Sequence, residues 1–244
     1  MKKLIAILSV AMMMAVCSPA YAQKPVLRFN SEGKFKILQF TDTHMTFSKK
    51  EEYEKTRMRL VRAIEAEKPD FVVFTGDQIW GNGAATILQE YFAPLDEHGI
   101  PFAIVYGNHD REQKVLSEKQ MADAYTSHPY CMNVKGSDGL LADLALSVGS
   151  AKDGKPAAVL YCIDSKDYVK DIEFFNGYSW IPRSTVEWYS SVSRDHAMLN
   201  GGPLPSYMFF HIPLPEYTQA FDKGTVLAGT RGEKECVSKV NSGL

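Results

Sequence analysis

Four short polar groups in this sequence each follow an apolar run, and each is built from residue types that bind metal. They are Asp42-Thr43-His44, Gly76-Asp77, Gly107-Asn108-His109-Asp110 and, much later, His211. Asp42 and His44 are one residue apart, so at the end of an extended strand their side chains are expected on the same side. A carboxylate beside an imidazole suits a divalent transition metal. Asp77 follows a glycine that lets the backbone turn tightly, and its two oxygens can bridge two cations. Asn108 adds a neutral amide oxygen and His211 a further imidazole. Asp42, His44, Asp77, Asn108 and His211 are thus the raw material of a two-metal site. Such a site holds its ions about 3.5–4 Å apart, acidifies a bound water and stabilises both ends of an in-line displacement.

These groups need a scaffold that delivers them to one place. Residues 35–40 read as a strand running into Asp42, and the spacing of Leu60, Val61 and Ile64 predicts a helix over about 51–68, ended by Pro69. Phe71-Val72-Val73-Phe74 is a second strand. One helix is predicted over about 84–97, closed by Gly99, then a third strand from Phe102 to Val105 and a helix over about 112–125. Strands that are apolar along their whole length are buried on both faces, as in a parallel sheet covered by helices. Open sheets of this kind gather their working groups beyond the C-terminal strand ends, where these polar groups lie. The second half reads differently. Segments 144–148 and 157–163 flank an Asp153-Gly154 turn and predict an antiparallel hairpin, followed by a helix over about 184–200 and a strand, Tyr207 to Phe210, that leads to His211.

With four such groups in order, the sequence resembles the calcineurin-like metallophosphoesterase family. The stretch Phe209-Phe210-His211-Ile212-Pro213-Leu214-Pro215-Glu216-Tyr217 is similar to its purple-acid-phosphatase-like branch. The resemblance runs from about Lys34 to the end of the chain. It implies an α/β fold, a four-layer α-β-β-α sandwich of two mixed sheets. It implies a hydrolase acting on phosphate monoesters, with diesters as an alternative, by attack of a metal-bound hydroxide. By the same resemblance Asp42 and His44 bind a first metal, Asp77 bridges, and Asn108 and His211 bind a second. His109 lies beside the phosphoryl group and assists the leaving oxygen, while Asp110 orients His109. The cofactors implied are two divalent or trivalent ions, and the substrates small phosphate esters or phosphoproteins.

Two departures qualify the resemblance. Purple acid phosphatases carry an iron-binding tyrosine three residues after the bridging Asp. Here that position is Trp80, whose indole N–H only donates, which leaves iron, manganese or zinc without the purple chromophore. The family also closes its site with a Gly-His-x-His motif, and this sequence has no histidine after His211. The resemblance therefore implies a fold incomplete at its C-terminus, and an alternative function as an impaired fragment or pseudoenzyme that binds phosphate or metal weakly.

The remaining features set the context. Residues 1–22 read as a secretory signal peptide, with Lys2 and Lys3 ahead of an apolar run and Ala20-Tyr21-Ala22 at the cleavage site. This leaves 23–244 as the metallophosphoesterase domain and predicts export to a periplasmic or extracellular space. A lipoprotein anchored at Cys17 is the alternative. The apolar run is too short to span a membrane. Of 244 residues, 27 are Lys or Arg and 29 Asp or Glu, so no basic excess points to nucleic acid. Cys131, Cys162 and Cys236 remain after cleavage, an odd count that leaves at least one unpaired in the chain. His98, His128 and His196 read as structural, Tyr178, Trp180, Trp188 and Tyr189 as packing, and Asp164 as a turn cap.

Overall fold

The computed structural model describes residues 24–169 and 177–222. The leader over 1–22, Cys17 and Cys236 lie outside the described residues. Strands β1 (Ile37–Phe40), β2 (Phe71–Thr75) and β3 (Phe102–Val105) form a parallel sheet in the order β1-β2-β3. Ile37 pairs with Phe71, and Val72 with Phe102. Helices α1 (Lys50–Glu67), α2 (Ala84–Glu90) and α3 (Ala93–Glu97) connect these strands. α1 stops where Lys68 turns left-handed (φ +46°) and its N–H reaches Ile64 O, immediately before Pro69. The single helix predicted over 84–97 is two, because Pro94 has no N–H and its ring would clash with the carbonyl one turn earlier. The helix predicted over 112–125 is likewise a short α4 (Asn108–Glu112) and a separate α5 (Glu118–Ser127), the latter begun by Ser117, whose hydroxyl accepts from Gln120 N.

The second sheet is mixed, as expected. β4 (Leu144–Gly149) and β5 (Pro156–Cys162) are antiparallel, and β6 (Ser206–Phe209) lies parallel to β5 after the crossover helix α6 (Arg183–Asn200). A short α7 (Pro215–Asp222) follows.

The period of two along the strands explains the layering. In β2, Val72 and Phe74 pack under α1 and α2 with Leu60, Ile64 and Ile87. Phe71 and Val73 turn the other way, against Leu144, Leu146, Leu160 and Cys162 of the second sheet. In β5 the alternate residues Val159 and Tyr161 face α6, where they meet Trp188, Tyr189 and Val192. The order is therefore helix, sheet, sheet, helix. Cys131 and Cys162 are free, buried thiols, each pushed up to about 12 by burial, and so behave as small apolar groups. Among the described residues, no helix is long and apolar enough to cross a membrane.

Candidate metal centre

The C-terminal ends of β1, β2 and β3 open onto a cavity of about 700 Å³ that also receives the loop after β6. Asp42, His44, Asp77, Asn108, His109 and His211 all line it. Their donor atoms form two groups with ligand atoms within 4.8 Å of one another: Asp42, Asp77 and His211, and His44, Asp77 and His109. Asp77 is common to both. Its Oδ2 lies 3.3 Å from His211 Nε2, 3.4 Å from His44 Nε2 and 4.0 Å from His109 Nε2. Two ligand atoms each about 2.1 Å from one ion sit roughly 3.0–3.4 Å apart, so this spacing fits shared cations. The grouping differs in detail from the pairing of Asp42 with His44. Those two do approach, at 3.5 Å, but Asp42 clusters with His211 and His44 with His109.

The backbone that achieves this is not the extended one expected. β1 ends at Phe40, and Asp42 (φ +53°), His44 (φ +44°) and Asp77 (φ +58°) all adopt left-handed conformations. Such strained turns collect at functional sites, and Asp and His tolerate them better than most residues. Backbone bonds from Asp42 N to Gly76 O and from His44 N to Asp77 O knit the two strand ends together.

Close approach explains both glycines. A Cβ on Gly76 (φ +105°) would overlap the His211 ring, and a Cβ on Gly107 would overlap the carboxylate and backbone nitrogen of Asp77. Gly107→Ala is expected to lower the unfolding free energy by about 1–3 kcal/mol, because a backbone atom cannot swing aside. Gly202→Ala, with open space around it, is the control that thermal melting should find unchanged.

Electrostatics centre on Asp77. Burial works against its charge, but hydrogen bonding and attraction from His211, with the His109 N–H, hold its carboxyl below the usual range. The His211 imidazole is raised in turn: burial opposes its charge, and the Asp77 bond and charge outweigh that, aided by Thr75 O at 2.8 Å from Nδ1. Among the described residues, neither Lys nor Arg lines the cavity. Converging carboxylates and imidazoles are the donor chemistry of a mixed O/N site for transition cations.

Asp110 requires a correction. It does not touch the His109 ring. Fully buried, its carboxylate accepts from Asp77 N (2.9 Å), Gly107 N (2.8 Å) and Ile79 N (3.0 Å), and so clamps the loop carrying Asp77 to the loop carrying Asn108. Desolvation raises its carboxyl to about 6 against those donors. The partner of the His109 ring is Glu112, with Oε2 2.5 Å from Nδ1. The sequence signal for it was the three-residue spacing from His109, which places both on one face once the helix starts at Asn108 rather than at residue 112. Tyr168 was also missed. Its hydroxyl accepts from Asn108 Nδ2 at 2.9 Å, which leaves Asn108 Oδ1 as the amide group free for the cavity.

Trp188 and Tyr189 pack on Tyr161, at 6.4 and 4.9 Å between ring centres. Tyr178 is more than packing, because it lines the cavity and stacks on Tyr168. Half-exposed Trp80 lies against the rings of His44 and His109, at 5.7 and 5.3 Å. His98, His128 and His196 bond to Pro94 O, to Asp96 and Leu88 O, and to Val192 O and Ser147, away from the cluster. Asp164 caps the turn at Lys166 N and also pairs with Arg111.

Known proteins share this fold and much of this sequence. A probable inactive purple acid phosphatase 14 from Arabidopsis thaliana is 30% identical over 89% of this chain and 63% of its own length. Phosphatase DCR2 from Saccharomyces cerevisiae is 34% identical over 78% of this chain and 36% of its own. The chain thus spans less than two thirds of the length of these curated relatives. The crystal structure of a dimetal phosphatase from Danio rerio shares the fold at 12% identity, with a TM-score of 0.50 over 75% of this chain and 71% of that one. The model of the calcineurin-like phosphoesterase domain matches residues 35–233, and the chain belongs to that family.

Proposed function

We propose that the chain is the metal-binding part of an exported, metal-dependent phosphoesterase that hydrolyses phosphate monoesters, with diesters the alternative substrate. The observation that carries this reading is the pair of ligand groups sharing Asp77. A phosphate ester brings negative charge, which bound cations would neutralise. Two such cations, whether iron, manganese or zinc, would polarise the phosphoryl oxygens and acidify a water. Asp42, His44, Asp77, Asn108 and His211 would hold them. With Nδ1–H held by Glu112, His109 Nε2, facing the cavity beside Asp77, supplies a proton or hydrogen bond to the leaving oxygen when the ring carries both protons. Asp110 holds the two ligand loops in register. The leader over 1–22 supports export, and small phosphate esters or phosphoproteins suit the charge logic equally.

The test is an assay of purified 23–244 chain with Mn²⁺, Fe²⁺ or Zn²⁺ against p-nitrophenyl and alkyl phosphates. Metal-dependent turnover is expected, lost on chelation. His109→Ala should reduce turnover of the alkyl ester by about 10²–10⁴-fold and spare the better leaving group. Absence of turnover with every metal would reject catalysis by this chain.

A second reading, binding of phosphate or metal without turnover, draws on the names of two relatives, probable inactive purple acid phosphatases 14 and 29 of Arabidopsis thaliana. Elemental analysis separates the two. About two metals per chain, as a dinuclear centre requires, would sink the second reading, and one or none would favour it.

A further inference from the structure

Two side chains of the site carry an ambiguity that the protein has to resolve before they can act. Asn108 offers an oxygen to a cation only if its amide nitrogen points elsewhere. His109 presents a defined Nε2 to the cavity only if the hydrogen-bonding role of Nδ1 is fixed. Two separate hydrogen bonds settle them. Asn108 Nδ2 donates to the Tyr168 hydroxyl at 2.9 Å. Glu112 Oε2 in turn lies against His109 Nδ1. An ionised carboxylate only accepts, so the His109 Nδ1–H is a donor to it, while the Tyr168 oxygen accepts from Asn108.

The two members come from opposite halves of the sequence, and each is held in place. Glu112 is the last residue of α4, one turn from His109. Tyr168 is stacked on Tyr178, with ring centres 5.3 Å apart and planes 18° apart. The segments bearing these two rings are joined by Val169 N to Gly177 O and Ser179 N to Asp167 O. We propose that Glu112 and Tyr168 are the positioning residues of this centre: Glu112 fixes the His109 tautomer so that Nε2 serves the cavity, and Tyr168 fixes the Asn108 amide so that Oδ1 serves a cation. The part concerning Asn108 rests on the two-cation phosphoesterase reading, and the part concerning His109 does not.

The experiment therefore has one arm without metal and one with it. In the metal-free full chain in alkaline buffer, long-range ¹H–¹⁵N spectra read the ring tautomers, with His109 assigned by its absence in His109→Gln. A single Nδ1–H tautomer is expected in the wild type and in Tyr168→Phe. Glu112→Gln keeps an acceptor and should retain it, while Glu112→Leu should shift the ring toward Nε2–H. In the second arm, Mn²⁺ binding is followed by the paramagnetic resonance of the free ion. Tyr168→Phe is expected to weaken one of the two sites by about 10-fold and to leave the other unchanged, as loss of an outer hydrogen-bond partner does. A wild-type His109 already in the Nε2–H form, or one indifferent to Glu112→Leu, would overturn the tautomer claim. Unchanged Mn²⁺ affinity in Tyr168→Phe would overturn the Asn108 claim. A wild type with the expected tautomer that binds no Mn²⁺ would refute the two-cation reading and the Asn108 claim with it, and would leave the hold of Glu112 on His109 supported.

Discussion

Asp77→Ala is expected to cost both cations at once and to lower phosphoesterase turnover by on the order of 10³-fold or more. The reason is the place of Asp77 in the cluster. Its Oδ2 faces the Nε2 atoms of His211, His44 and His109, and it is the one residue common to both ligand groups. Asp77→Asn should fail almost as badly. Oδ1 accepts from His109 N at 2.8 Å, so the amide oxygen would take that bond and turn its N–H₂ toward the imidazoles, where a ligand is needed. Asp42→Ala, by contrast, removes a member of one group only and should leave one cation bound. Elemental analysis of the three variants reads the difference. Two ions retained by Asp77→Ala would show that the carboxylate is not shared.

Asp110→Ala is expected to produce the largest loss of stability of any single substitution near the site, about 3–5 kcal/mol. Three buried backbone N–H groups, of Asp77, Gly107 and Ile79, lose their acceptor together, and each orphaned donor costs about 1–3 kcal/mol. For a domain of this size that corresponds to a fall in melting temperature of roughly 10 °C or more. Metal affinity should fall with it, because the two loops that lose their clamp carry Asp77 and Asn108. Asp110→Asn keeps one acceptor oxygen and should lie between. An unchanged melting temperature in Asp110→Ala would mean that the three donors find other partners.

Much of this architecture is legible in the sequence because burial writes it there. Phe71-Val72-Val73-Phe74 has no polar face, and β2 is covered on one side by helices and on the other by the second sheet. The polar groups after each strand named the cavity lining in advance, since a buried strand ends where solvent and a site begin. What was not legible depends on backbone conformation or on distant neighbours. The convergence of Asp42 and His44 looks like a consequence of strand pleat, yet positive φ at both residues produces it. Asp110 and Glu112 are near-equivalent candidates for the partner of His109. Only the turn of α4 decides, sending Asp110 inward to the backbone of the β2 loop and Glu112 back to the ring. Tyr168 lies 60 residues from Asn108, and no local pattern announces such a contact. The break in the helix over 84–97 was written in Pro94, although the apolar periodicity ran straight through it.

The centre proposed for this chain is two cations flanking the carboxylate of Asp77. Crystals of the chain grown with Mn²⁺, with data collected at the manganese edge, would locate them by anomalous scattering. Two peaks about 3.5–4 Å apart on either side of Asp77 are predicted, one toward Asp42 and His211 and the other toward His44. A single peak, or peaks away from Asp77, would contradict the shared-carboxylate centre.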